Sequence, residues 1–109
     1  MTEYVLIYVT APSTEEAETI ATSLVEQRLA ACANIVPAIR SIFWWKNAIE
    51  HEHEALIILK STKTLFPLIV DAVKSLHSYD VPEIIATPLL CGSDDYLAWI
   101  SAETQGFSA

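Results

Sequence analysis

Glycine is almost absent: the 109 residues include two, Gly92 and Gly106. A loop that cradles phosphate needs several, because only glycine lets the backbone approach a ligand closely at either sign of φ. Nucleotide-binding loops of that kind are therefore excluded. Basic residues are also scarce, with six Lys and Arg against fourteen Asp and Glu and a net charge of -8. Nucleic-acid binding draws on clustered cations that displace counter-ions from phosphate. Nucleic acid is thus excluded as a partner, and anionic membrane surfaces are disfavoured. The two cysteines, Cys32 and Cys91, lack the paired spacing of a zinc or redox motif. They do not form a disulfide scaffold, and their apolar surroundings read as buried free thiols in a reducing compartment. No apolar run reaches the roughly 20 residues that span a bilayer. The start, MTEYVLIYVT, lacks the basic region and cleavage site of a signal peptide. A cytoplasmic protein without membrane insertion is expected. No Ser-His-Asp or Cys-His signature is legible, so an enzyme is not expected.

Apolar residues, in contrast, are plentiful. They make up 52% of the chain, with only 18% charged. A single domain over residues 1–109 fits this length. So small a domain leaves much of its surface wet, so this richness points to apolar surface buried between subunits. The chain is organised around 31–60, ACANIVPAIRSIFWWKNAIEHEHEALIILK. Its β-branched and aromatic residues form two extended runs, Cys32–Trp45 and 49–60, around a polar turn at Lys46-Asn47. Arms this long project beyond a small core, and a tip of Phe43, Trp44 and Trp45 calls for a partner, expected to be another copy. Strict alternation puts Ala33, Ile35, Pro37, Ile39, Phe43 and Trp45 on one face, with Asn34, Val36, Ala38, Arg40, Ile42 and Trp44 on the other. Pro37 marks an edge strand or a bulge, since proline cannot donate to a ladder.

The remaining elements follow from period and punctuation. Residues 4–10 are apolar on both faces and read as a central strand. Ser13 and Glu16 form a capping box that opens a helix running to about Leu29. Thr64 is the expected cap of a second helix, with Pro67 in its first turn and Leu65, Ile69, Val73 and Leu76 on its buried stripe. Residues 83–90 read as a final strand, with Pro88 again suggesting an edge. Ser93 should cap a short carboxy-terminal helix, with Asp94 and Asp95 at its positive end. The order β-α-β-β-α-β plus a helix is the α+β, ferredoxin-like split β-α-β sandwich. Strands one and three are then central and strands two and four are edges. Two helices cover one sheet face, and self-association is expected to bury the other.

Five segments carry a family resemblance: Thr10-Ala11-Pro12; 29–37, LAACANIVP; 41–45, SIFWW; 76–83, LHSYDVPE; and 95–99, DYLAW. In this order and over nearly the whole chain they resemble the CutA family of divalent-cation tolerance proteins. The resemblance implies a tight homotrimer shaped like the PII signalling proteins, with hairpin arms lapping onto neighbours. It also implies a link to copper, Cu(II), and other divalent metal ions.

Three sets of residues are candidates for chemistry. His77 lies in the family's His-x-Tyr-x-x-Pro-Glu motif, and imidazole suits Cu(II). Its structural alternative is a histidine that bonds terminal helix carbonyls. Some family members have further proposed copper ligands, a cysteine and a second histidine, where this chain has Val9 and Leu76. His51 and His53, two apart on a strand, share a face and could chelate an ion. The bland reading of the pair is a solvated hairpin. Glu50, Glu52 and Glu54 point to the opposite face. By resemblance, Asn34, Trp45, Lys60, Tyr79 and Glu83 gather into a polar cleft at a subunit boundary. Lys60 could there hold a small anionic ligand, as in a PII-like sensor or adaptor, unless it simply pairs with Glu83. Trp44, Trp45, Trp99, Tyr79 and Tyr96 read as interface anchors rather than a ligand cage.

Overall fold

β1 (Tyr4–Ala11) is central in a four-stranded antiparallel sheet of order β2-β3-β1-β4, seen in a computed structural model that describes residues 2–105. Met1 and residues 106–109, included in the expected domain, lie outside the described part. β3 (Ala48–Thr62) is the other central strand, while β2 (Cys32–Trp45) and β4 (Ile84–Pro88) are the edges. The expected ferredoxin-like order is therefore present, with both strand prolines on edges. Alternation along β1 sends Val5, Ile7, Val9 and Ala11 into the core, against Leu59, Ile57 and Ala55 of β3. α1 (Thr14–Glu26) adds Ile20 and Leu24, and α2 (Phe66–Leu76) adds Ile69 and Val73. All four of these helix side chains are fully buried. None of the described helices is long and apolar enough to cross a membrane.

The helix ends match their expected chemistry only in part. Ser13 Oγ accepts the Glu16 N–H at 3.1 Å, which is half a capping box. The returning half is diverted, because Glu16 Oε2 accepts from the backbone N–H and the hydroxyl of Ser78, at 2.9 and 3.0 Å. α1 ends before Leu29 in a left-handed residue, Arg28, at φ 58°. Leu29 N–H bonds Leu24 O and Arg28 N–H bonds Val25 O, which satisfies the last carbonyls in a Schellman motif. Thr64 does not cap α2. A 3-10 turn, Lys63–Leu65, leads into the helix, and Leu65 occupies the cap position without a side-chain bond. α3 (Asp94–Ala102) follows Ser93, whose side chain makes no cap bond. There Asp95 Oδ1 accepts the Tyr96 N–H at 3.0 Å instead. α3 partly covers the sheet face that α1 and α2 leave open. Tyr4, which points to that face, bonds Ser101 through their hydroxyls at 2.6 Å, and Ile100 is fully buried. The cysteines are free, but they are not buried as expected: Cys32 is half-buried and Cys91 is exposed.

The hairpin departs most from strict alternation. Lys46 and Asn47 have φ 50° and 67°, the two left-handed residues of a type I′ turn, whose twist suits paired strands. Trp45 pairs with Ala48, and the register holds back to Ile39 opposite Glu54. On the core side of the break, Val36 lies opposite Leu56, so β2 carries one extra residue at Pro37-Ala38. Proline suits this β-bulge because its missing N–H removes no ladder bond. The extra residue inverts the phase of everything beyond it. Ala33 and Ile35 face the helices, but Ile39, Phe43 and Trp45 share the opposite face with Asn34 and Val36. This corrects the face assignment drawn from alternation.

Candidate functional site

The inverted phase puts the hairpin aromatics and its glutamates on one surface. Glu50 pairs with Phe43, Glu52 with Ser41 and Glu54 with Ile39, so all three carboxylates share the sheet face turned away from α1 and α2. The chain between α2 and β4 wraps the end of β1 and closes a groove against that face. The cavity is about 820 Å³, and Trp45, Phe43, Tyr79 and Val81 form its apolar wall. Glu50, Glu52, Glu54, Asp80 and Glu83 line it as well. Among the described residues, no Lys or Arg side chain forms an ion pair with any of these carboxylates. Glu54 is only 7% exposed, and Tyr79 Oη donates to its Oε2 at 3.0 Å. Burial, then the bond and charge of Glu54, push the Tyr79 phenol up to about 12. Burial and then the Glu54 charge likewise raise Glu83 above the ordinary carboxylate value.

His77 holds this loop in place. Its side chain is fully buried. Nε2 lies 2.6 Å from the Thr10 carbonyl oxygen, and Nδ1 accepts the Tyr79 N–H at 3.0 Å. With Nδ1 accepting that N–H, Nε2 carries the hydrogen directed at Thr10. Both ring nitrogens therefore have partners within the chain, and Nδ1 also lies 3.5 Å from Glu16 Oε2. The ring also stacks at 4.7 Å on Tyr79, whose hydroxyl reaches Glu54. His77 is thereby a positioning residue for the groove. Val9 is a fully buried core residue, and Leu76 is 40% exposed.

The other candidates fall in two places. His51 and His53 are exposed and share the face of Ile42 and Arg40, away from the glutamates. The five residues of the expected intersubunit cleft divide between two places on the single chain. Trp45, Tyr79 and Glu83 line the groove, whereas Asn34 and Lys60 do not. Lys60 Nζ donates to Asn34 Oδ1 and lies 3.8 Å from Cys32 Sγ, so it does not serve as the partner of Glu83. On the single chain the groove is therefore lined by acids, with Lys60 outside it. Among the described residues, no group of three His, Cys, Asp or Glu side chains is placed to hold a metal ion. Sequence reasoning missed Glu54 and Glu16 as functional partners. The Glu-His-Glu-His-Glu alternation was the available signal for Glu54; nothing local marked Glu16 as a partner of Ser78.

The CutA1 divalent ion tolerance protein family matches residues 5–103. The chain belongs to that family. The divalent-cation tolerance protein CutA of Thermus thermophilus is 48% identical over 104 residues, covering 95% of this chain and 99% of that protein. The chloroplastic protein CutA 1 of Oryza sativa subsp. japonica is 40% identical over 101 residues. The match covers 93% of this chain but 57% of that relative, so the chain spans little more than half its length. The crystal structure of CutA1 from Oryza sativa has a TM-score of 0.92 at 39% identity, covering 94% of each chain. Membership of the CutA1 family links this chain to divalent-cation tolerance in general.

Proposed function

We propose that this CutA1 chain works as a cytoplasmic homotrimer that binds divalent metal ions, Cu(II) among them, and so contributes to metal tolerance. The observation that carries the reading is the sorting of donors on the hairpin. His51 and His53 are exposed on one face, while His77 is sealed by its two backbone bonds. Imidazole is the preferred neutral donor for Cu(II), and two histidines at strand spacing can grip one ion from one side. Water and donors from a second subunit complete the shell. The trimer implied by the family is supported by Ile42, Trp44 and Ile49, which are 65, 71 and 53% exposed on the single chain. Two free cysteines suit a reducing compartment.

The test is a Cu(II) titration by calorimetry on metal-free protein, beside the double variant His51→Ala/His53→Ala and the single variant His77→Gln. Saturable binding should disappear in the double variant and persist in folded His77→Gln. The opposite pattern would return the ion to His77. No saturable heat in the parent protein would refute direct Cu(II) binding.

A further inference from the structure

We draw no further inference here: the strongest candidate, the side-chain cluster of Cys32, Asn34 and Lys60 where the start of β2 pairs with β3, rests on a lone cysteine with a lysine ammonium 3.8 Å away, and nothing among the described residues points to a ligand there.

Discussion

Replacing His77 with alanine removes two hydrogen bonds and a fully buried ring in one step. The Thr10 carbonyl loses its 2.6 Å partner, and the Tyr79 N–H loses its acceptor at 3.0 Å. Leaving a buried polar group unpaired costs about 1–3 kcal/mol. Thr10 is 7% exposed and bears the upper part of that range, whereas the half-buried Tyr79 bears the lower. Lost packing around the ring adds to this, so about 3–5 kcal/mol is expected in total. That is a large share of the roughly 5–15 kcal/mol typical of a folded domain. The assay is denaturant unfolding of metal-free protein at one fixed protomer concentration, because the proposed trimer would make apparent stability depend on concentration. His77→Gln should recover part of the loss, since its amide can still donate toward Thr10. If His77→Ala unfolds within about 1 kcal/mol of the parent, the two bonds are not structural and the reading of His77 as a positioning residue fails.

Three further outcomes follow from single features. Arg28→Gly relieves a left-handed residue at φ 58° worth about 1 kcal/mol, and gives up an exposed ion pair to Glu103 worth about 0–1 kcal/mol. The denaturation midpoint should therefore hold or rise. Glu83 has a folded-state pKa above its ordinary 4.5, so the folded chain holds that proton more tightly than the unfolded chain. Its contribution to stability is complete below pH 4.5 and is lost as pH rises through the raised value. The melting temperature of the parent should fall relative to Glu83→Gln over that window, and parallel pH profiles would contradict the assignment. Trp44→Ser/Trp45→Ser should leave the core intact but dissociate or aggregate the proposed trimer, as read by sedimentation. A normal trimer in that variant would show that the hairpin tip does not hold subunits together.

Much of the fold is legible because local periods and punctuation agree with it. The doubly apolar β1, the helical stripes of α1 and α2, and prolines confined to Pro37 and Pro88 all point to one topology. Segment ends were less legible. Thr64 has the chemistry of a cap, but the chain enters α2 through a 3-10 turn that places Leu65 there instead. The site was only partly legible because its determinants are tertiary. Nothing in 76–83 states that the His77 ring will find the Thr10 carbonyl, 67 positions away in sequence. Lys60 and Asn34 were expected to meet, and they do, but as a cross-strand pair rather than as part of an anion site. The family motif draws attention to His77 as a metal candidate, whereas its partners in the fold, Thr10 and Tyr79, are tertiary and local backbone contacts that the motif does not state.

The β-bulge at Pro37-Ala38 joins these observations. With the type I′ turn fixed, Trp45 and Phe43 must share a face with the residues opposite them in β3. An uninterrupted ladder running from Ala33 and Ile35 would shift that pairing by one. Phe43 and Trp45 would then face the side of His51 and His53, and Ile42 and Trp44 would take their places beside the glutamates. One extra residue instead puts Phe43 and Trp45 with the carboxylates, while Ile42 and Trp44 lie with the imidazoles. The loop that closes the groove depends in turn on His77, whose Nδ1 bond orients Tyr79 and so the Tyr79–Glu54 contact. A buried histidine and a proline bulge, neither of which lines the groove, therefore decide its composition. Substitutions at either position should disturb the groove and its Tyr79–Glu54 contact although neither residue lines it.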